Sequence, residues 1–345
     1  MPMPDHPLLI ASDALQLPQV MDRLQASQAG MLIVVDAQQR FLGVITQRDL
    51  HRALLNGKDN LQEILRTQVP VLKSNALDQR AMPLSKSRRR FIPVVNERNE
   101  VESVQELSPQ QLFTRKQPVV IMAGGLGKRL GDLTHELPKP MLPLGHQPLL
   151  HFIIESLIEY GFVEFYLCVN YKAEMIKEYF GDGSGLGIKI HYIEEEEPLG
   201  TAGALGLIDA PLSEPFLVMN GDLITSLNFD SLMDFHQEKE ATATMCLAEY
   251  NYQLPFGVVR TRNSSVLSLQ EKPFQQHYIN AGIYVLNRRA LDFIPPEQPK
   301  DMTTVFEDLL RTDEAVHAYH INEFWLDIGQ KQDYERGKQL FSGDH

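Results

Sequence analysis

The sequence predicts an α/β fold: a large domain with a mixed, mostly parallel sheet wrapped by helices, preceded by a smaller tandem α/β unit. Three observations predict it. Short β-branched runs alternate with helical periods from Val119 onward, and a glycine-rich turn directly follows the first run. A strand-and-turn pattern near the N-terminus returns about sixty residues later. With 345 residues, of which 43% are hydrophobic, the chain can bury two such cores.

Charge and composition narrow the classes of partner. The chain carries 32 Lys and Arg against 45 Asp and Glu, a net charge of −13 that repels nucleic acid and anionic membranes. Only the short basic run Arg88 to Arg90 favours nucleic acid. Because the N-terminus lacks a secretory pattern and no apolar run reaches membrane-spanning length, we expect a cytoplasmic protein. Cys168 and Cys246 lie in strand-like segments and are expected to be core residues.

The first third of the chain is an imperfect tandem repeat. Its first unit contains the apolar run 31–36 (MLIVVD) and the segment 43–50 (GVITQRDL), and the run 91–96 (FIPVVN) repeats the strand and turn. The segment 43–50 resembles a motif of cystathionine-β-synthase-type (CBS) domains, so we assign residues 1–112 to a pair of these domains. The resemblance implies that Thr46 and Asp49 hold the ribose of an adenine or guanine nucleotide.

The second repeat is degenerate at the motif positions. Where the first repeat has Gly43, Thr46 and Asp49, the second has Ser103, Glu106 and Pro109. Two roles stay open for the pair: a ligand sensor, or a structural or dimerising unit that would make the protein a homo-oligomer. A polar linker at 113–117 separates the pair from the large domain, which we expect at 118–345.

The glycine-rich turn follows the strand-like run Val119 to Met122, at the end of a strand where α/β sheets bind ligands. It comprises Ala123, Gly124, Gly125, Leu126, Gly127 and Lys128, and Arg129 follows. Glycines let successive backbone N–H groups point at an anion, and the two cations add charge-assisted contacts. A P-loop would need Gly at Met122 and Ser or Thr at Arg129, and a dinucleotide fingerprint would need Gly or Ala at Leu130. The turn therefore predicts a phosphate site of another kind.

The turn matches the signature of sugar-phosphate nucleotidyltransferases, here GGLGKRL at 124–130, and six further motifs of that family follow in order. They are PKPM (138–141), LGTAG (199–203), NGD (220–222), EKP (271–273), NAG (280–282) and WLDIG (325–329). The segment from Pro118 to about Lys338 thus resembles this family, in particular its GDP-sugar pyrophosphorylases. The resemblance implies a Rossmann-like, GT-A-like sheet. Lys128 replaces a frequent Thr, and Gly131-Asp132 replace a frequent Arg-Pro, which leaves open how the loop closes.

The resemblance also implies a reaction: a sugar 1-phosphate oxygen attacks the α-phosphorus of a nucleoside triphosphate, and pyrophosphate leaves. Two anions must meet, so positioning and charge neutralisation supply the catalysis. By the resemblance, Arg129 grips the triphosphate, Lys139 contacts phosphate near the α-phosphorus, and Lys272 holds the sugar phosphate. Asp222 and Asp327 are the expected ligands of Mg²⁺, a hard cation that binds through one or two carboxylates.

Further residues are assigned to the sugar and the base. The resemblance implies that Gly203, Glu271 and Asn280 contact the sugar and that Gly200 lies against the nucleobase. The acidic run Glu194 to Glu197 could offer a carboxylate to the N1–H and amino donors of guanine, which favours GTP. Uracil and thymine also present one N–H donor, so a uridylyl- or thymidylyltransferase acting on a hexose 1-phosphate stays open.

The combination of a CBS pair with this enzyme type resembles proteins that make GDP-sugars for bacterial surface glycans. Mannose 1-phosphate and glucosamine 1-phosphate are therefore the expected sugar substrates. The alternative from another class is a nucleotide-sensing regulator that binds ligand without turnover. The presence of Arg129, Lys139, Asp222 and Asp327 argues against that alternative.

Overall fold

The computed structural model describes residues 9–11, 17–26, 31–46, 49–50, 53, 60–74, 91–106, 114–145, 147–209 and 212–342. The N-terminal elements are β1 (Leu9–Ala11), α1 (Leu17–Ala26), β2 (Met31–Val35), β3 (Phe41–Thr46), α2 (Leu61–Ile64), β4 (Leu72–Lys73), β5 (Phe91–Val95) and β6 (Val101–Glu106). The basic run Arg88 to Arg90 and Pro109, both used in the sequence interpretation, lie outside the described residues.

The N-terminal strands form two sheets of the same design. In each sheet the central strand is parallel to one neighbour and antiparallel to the other, in the orders β1-β2-β3 and β4-β5-β6. Both antiparallel pairs shift register at the equivalent place, after Val34 in one and after Val94 in the other. Ser103 pairs with Val94 as Gly43 pairs with Val34, in agreement with the predicted alignment of the repeats.

The two repeats pack on each other through equivalent contacts. The Phe41 backbone N–H donates to the carbonyl of Asn99 (2.8 Å), and the Val101 N–H donates to the carbonyl of Gln39 (3.0 Å). An apolar cluster joins buried residues of β2 and β3 to Val101 and to the end of β5. The repeats are therefore related by an approximate two-fold axis and share part of their core.

The larger part of the chain begins at β7. Its strands and helices are β7 (Val119–Met122), α3 (Leu133–Glu136), β8 (Pro143–Leu144), β9 (Gln147–Pro148), α4 (Leu149–Ile158), β10 (Glu164–Val169), α5 (Ala173–Phe180), β11 (Lys189–Glu194), β12 (Phe216–Asn220), β13 (Leu223–Thr225), α6 (Phe229–Glu238), β14 (Ala243–Gln253), β15 (Val258–Arg262), β16 (Ser265–Gln270), β17 (Phe274–Leu286), α7 (Met302–Arg311), β18 (Val316–His320), β19 (Trp325–Asp327) and α8 (Lys331–Ser342). Local chemistry sets several of these bounds. The Asn228 side chain caps α6 by accepting from the N–H groups of Asp230 and Ser231, and Gly181 ends α5 with φ 53°.

A seven-stranded sheet organises this part, in the order β11-β10-β7-β12-β17-β14-β18. The first four strands are mutually parallel, β17 is antiparallel to both of its neighbours, and β18 is parallel to β14. The predicted mixed, mostly parallel sheet is confirmed. Because β10, β7 and β12 run the same way, their carboxyl ends meet at one edge of the sheet.

Both faces of this sheet are covered, so neighbouring strand residues point into two different cores. In β7, Val119 and Ile121 face one apolar cluster and Val120 faces the other. Cys168 and Cys246 are fully buried, and burial raises the pKa of both thiols above its usual range. Both cysteines are free core residues, as predicted.

The outer halves of β14 and β17, with the β15–β16 hairpin between them, form an arm that comprises residues 249–278. The two long strands pair along their length, with a bulge between Met245 and Leu247 where the arm leaves the sheet. Large apolar side chains on the arm are exposed, among them Phe256 (74%) and Leu269 (71%). None of the helices in the described ranges combines the length and the apolar composition that a membrane span requires.

Candidate active site

The glycine-rich loop sits at the carboxyl edge of the central strands. The N–H of Ala123 donates to the carbonyl of Cys168 (2.8 Å), and the N–H of Gly221 donates to the carbonyl of Met122 (2.9 Å). These bonds tie the ends of β7, β10 and β12 together. In the described part of the chain, the backbone N–H groups of residues 124–127 donate to no acceptor, so they remain available to an anion.

The structure gives a physical account of how this loop closes. Gly127 has φ 63°, and a side chain there would come within 2.7 Å of Thr134 Cγ2. The Thr134 hydroxyl donates to the carbonyls of Gly127 and Gly131, both at 3.2 Å. Lys128 and Arg129 then form a 3₁₀ turn whose side chains are exposed. Thr134 of α3 therefore holds the loop closed, which answers the question that Gly131 and Asp132 left open in the sequence.

Strand pairing brings the two predicted metal ligands together. Asp222 follows β12, and the next strand, β13, pairs antiparallel with β19, so that Leu223 lies opposite Asp327. The N–H of Ile328 also donates to the carbonyl of Asp222 (3.0 Å). The two aspartates are distant in sequence, but the β13–β19 ladder holds them as neighbours.

Lys139 lies between these carboxylates. It starts a 3₁₀ turn after Pro138, and only 7% of its surface is exposed. Its ammonium donates to Asp222 Oδ2 and lies 3.9 Å from Asp327 Oδ1. A buried lysine between two carboxylates must be held in place by the surrounding elements, because an unpaired charge there would be costly.

Arg129 lies near Lys139 and the two aspartates. A Cβ atom at Gly329 would lie 3.4 Å from Asp327 Oδ2 and 3.6 Å from Arg129 Nη1, so the guanidinium and this carboxylate face the same small space. The structure thus brings together Arg129, Lys139, Asp222 and Asp327, as the motifs predicted. It does not link Lys272 to them by any hydrogen bond or ion pair among the described residues.

Lys139 and Arg129 match the formal charge of the carboxylate pair, but they do not satisfy all of its oxygens. Burial and the negative charge of Asp222 raise the pKa of Asp327 to about 6, although Lys139 and Arg129 act in the opposite direction. One oxygen of each, Asp222 Oδ1 and Asp327 Oδ1, is buried without a hydrogen-bond partner among the described residues. A divalent cation would satisfy both oxygens, so these residues fit the predicted Mg²⁺.

The protein offers Mg²⁺ few ligands of its own. In the described part of the chain, no group of three or more His, Cys, Asp or Glu is arranged to hold a metal ion. Mg²⁺ commonly binds through one or two carboxylates and takes its other ligands from phosphate and water. Asp222 and Asp327 therefore suit a metal that arrives with a nucleotide.

The loop 199–203 is held by residues that the sequence motifs did not reveal. The Thr201 N–H donates to Asp301 Oδ1 (3.2 Å), and the N–H groups of Ala202 and Gly203 donate to the Lys300 carbonyl (2.9 and 3.1 Å). A side chain at Gly200, where φ is 77°, would lie 2.7 Å from Asp301 Oδ1. The loop therefore needs glycine for close packing, and contact of Gly200 with the base stays a prediction.

Of the acidic run 194–197, one carboxylate reaches the glycine loop. Glu195 is half-buried, its Oε2 accepts from the Leu199 N–H (2.9 Å), and a side chain at Gly124 would lie 3.0 Å from its Oε1. Burial raises the pKa of Glu195. Glu194 instead pairs with Lys177 (2.7 Å). The structure thus singles out Glu195, which the sequence could give only as one of four glutamates.

The predicted sugar residues lie in three places: Gly203 in the loop 199–203, Asn280 in β17, and Glu271 with Lys272 on the arm. The Asn280 amide donates to the Tyr284 hydroxyl (2.7 Å) and accepts from the Gly282 N–H (3.0 Å). Glu271 and Lys272 lie on the exposed arm, where Glu271 Oε2 borders Gly257. Their contacts with a sugar stay predictions.

The predicted regulatory residues contact each other. The Thr46 hydroxyl donates to Asp49 Oδ2 (2.7 Å), the Asp49 N–H donates to the Thr46 hydroxyl (3.1 Å), and Arg66 pairs with Asp49 Oδ1. This reciprocal pattern is that of a helix N-cap. A role in nucleotide binding stays a prediction.

Replacing Lys139 by Met should destabilise the protein, because the half-buried carboxylates of Asp222 and Asp327 then lose the lysine between them. In EDTA we expect the free energy of unfolding to fall by about 1 to 3 kcal/mol, less than for a fully buried pair because water screens Asp327. Mg²⁺ should restore stability more in the variant than in the wild type, since it takes over the balancing charge. Denaturant melts measure both effects, and Lys189→Met, an exposed lysine, is the control. A variant as stable as wild type in EDTA would contradict the charge-cluster interpretation.

Comparison with known proteins agrees with this geometry. A family model described as nucleotidyl transferase matches residues 118–342, and one described as CBS domain matches residues 3–56. The probable mannose-1-phosphate guanylyltransferase 1 of Oryza sativa subsp. japonica is 37% identical over 231 residues, which are 64% of this chain and 64% of that protein. The mannose-1-phosphate guanylyltransferase of Mycobacterium tuberculosis is 34% identical over 234 residues, which are 66% of this chain and 65% of that protein. The chain spans less than two thirds of the length of these relatives.

A solved structure shares the fold of the larger part. HddC from Yersinia pseudotuberculosis complexed with GMP-PN is 26% identical and superimposes with a TM-score of 0.52, covering 66% of this chain and 100% of that chain. Since the family model spans residues 118–342, which are most of the chain, the chain belongs to the nucleotidyl transferase family.

Proposed function

We propose that the protein joins GTP to mannose 1-phosphate and releases GDP-mannose and pyrophosphate. The observation that carries the proposal is the convergence of Arg129, Lys139, Asp222 and Asp327 beside a loop whose N–H groups have no acceptor among the described residues. The names of the relatives support mannose 1-phosphate and a guanine nucleotide. Glucosamine 1-phosphate is the second sugar to test, and GDP-sugar supply for surface glycans and a cytoplasmic location stay predictions from the sequence.

The chemistry follows from the charges. An oxygen of the sugar phosphate attacks the α-phosphorus of GTP, a new P–O bond forms, and the bond between the α-phosphorus and the bridging oxygen breaks with pyrophosphate leaving. The loop N–H groups and Arg129 hold the triphosphate, and Lys139 neutralises charge near the α-phosphorus. The protein supplies no nucleophile, so its contribution is to orient two anions that repel each other.

Asp222 and Asp327 would hold Mg²⁺, which would supply positive charge to stabilise the phosphates during the reaction. Lys139 already donates to Asp222 Oδ2, so Asp222 Oδ1 and Asp327 Oδ1, which have no hydrogen-bond partner among the described residues, remain for the ion. This arrangement orients the carboxylates before any ligand arrives. In this proposal Lys272, Glu271, Asn280 and Gly203 serve the sugar phosphate, a role that rests on the motifs.

A pyrophosphate-release screen tests the function. With Mg²⁺, we expect release from GTP plus mannose 1-phosphate to exceed release from other triphosphate and sugar 1-phosphate pairs. Asp222→Asn should lower kcat by about 100-fold or more, because a charge-stabilising ligand is lost. Asp292→Asn, an exposed aspartate, should keep wild-type activity. Absence of release from every pair would refute the enzyme proposal and favour a nucleotide-sensing regulator.

We also propose that Glu195 reads the base. A carboxylate accepts from both the N1–H and the amino group of guanine, whereas a glutamine amide offers one acceptor and one donor. Glu195→Gln should therefore lower kcat/KM for GTP by about 10- to 100-fold while changing the low activity with UTP or dTTP much less. Glu196→Gln, an exposed neighbour, is the matched control. An unchanged ratio of GTP to UTP activity in Glu195→Gln would exclude this residue from base selection.

For the N-terminal pair, we propose binding of an adenine or guanine nucleotide near Thr46 and Asp49. Because the Thr46 hydroxyl is already bonded to Asp49, a ribose must compete with that bond or share it. Calorimetry on the full chain should detect binding that Thr46→Val weakens by about tenfold, the expected loss of one good hydrogen bond. If neither variant nor wild type gives binding heat with ATP, AMP, GTP or GMP, the pair is structural or dimerising.

A further inference from the structure

A cavity of about 630 Å³ borders the active site on the side of α8. Three cations line it: Arg129 from the glycine-rich loop, and Lys331 and Arg336 from the helix. Glu335 and three glutamines complete the lining. The motifs that implied the reaction end at Gly329, so they assign no role to the two cations of α8.

The charges in this cavity are unusual for the chain. The protein has a net charge of −13, yet within the described residues no ion pair joins Lys331 or Arg336 to a carboxylate, and Arg129 interacts with Asp327 without forming one. The one acidic side chain of the lining, Glu335, lies 3.6 Å from Lys338, which is not part of the lining. Unpaired cations that face one cavity repel each other, so an anion bound there would relieve the repulsion.

Arg129 lines both this cavity and the space beside Asp327, so it connects the cavity to the active site. That guanidinium and Asp327 face the same space beside Gly329, and α8 begins shortly after Asp327. An anion held by Lys331 and Arg336 would therefore also reach Arg129. Of the reactants, the triphosphate end of the nucleotide and the released pyrophosphate carry enough charge to engage three cations.

We propose that this cavity is a polyphosphate site in which Lys331 and Arg336 join Arg129 on the terminal phosphates of the nucleotide and on the departing pyrophosphate. The choice of pyrophosphate as ligand rests on the proposed function. The polar groups of the glutamines supply further hydrogen bonds to phosphate oxygens. Lys331 and Arg336 thus position the leaving group and do not contact the α-phosphorus.

Calorimetry with magnesium pyrophosphate and the full chain tests the site without turnover. The Lys331→Gln/Arg336→Gln variant should bind at least about tenfold more weakly than wild type, and its affinity should depend less on salt. Lys338→Gln, a charge change on the same helix outside the lining, should bind within about twofold of wild type. Equal affinity of the double variant and wild type would overturn the proposal. Inorganic phosphate bound as tightly as pyrophosphate would overturn the polyphosphate assignment.

Kinetics separate this proposal from the proposed function. In the double variant, KM for GTP and the inhibition constant of pyrophosphate should both rise about tenfold, while KM for mannose 1-phosphate stays unchanged. If wild type shows no turnover but binds pyrophosphate through Lys331 and Arg336, the function fails and the site stands. If turnover is present and all three constants match wild type in the double variant, the site fails and the function stands. Matching melting curves of the variants exclude misfolding, since both side chains are exposed.

Discussion

The buried ion cluster of Lys139 with Asp222 and Asp327 is the interaction on which the rest of the site depends. A lysine that is 7% exposed and two carboxylates with orphaned oxygens are expensive to bury, so the surrounding elements must hold them in fixed positions. Burial is the main cause of the raised pKa of Asp327, and Asp222 Oδ1 and Asp327 Oδ1 have no hydrogen-bond partner among the described residues. Two carboxylate oxygens left in this way suit a site that receives a metal and a nucleotide together.

The fold supplies each member of the cluster from a different element. The carboxyl end of β12 leads to Asp222, the β13–β19 ladder sets Asp327 beside it, and a 3₁₀ turn after Pro138 inserts Lys139. The glycine-rich loop closes over the same edge because Thr134 bonds to its carbonyls. Because the parallel strands β10, β7 and β12 end at the same edge of the sheet, the residues that follow them lie close together although they are far apart in the sequence.

The sequence predicted most of this arrangement, since the alternating pattern gave the mixed sheet and the ordered motifs gave the loop, Lys139 and the two aspartates. It could not indicate Lys300 and Asp301 as supports of the loop at Gly200, because that packing depends on a tertiary contact across about a hundred residues. For the same reason it gave Glu195 only as one of four glutamates, and it gave no role to Lys331 and Arg336. Lys272 was expected among the other cations, but it lies on the exposed arm because β14 and β17 run beyond the sheet.

If the proposed site is right, Asp222 and Asp327 together bind a single divalent cation with the nucleotide. Electron paramagnetic resonance of Mn²⁺, titrated in the presence of GTP, measures this most directly. Wild type should hold one tightly bound ion per chain, and Asp327→Asn should lose it while GTP stays bound through the loop. Equal Mn²⁺ affinity in wild type and in Asp327→Asn would contradict the account.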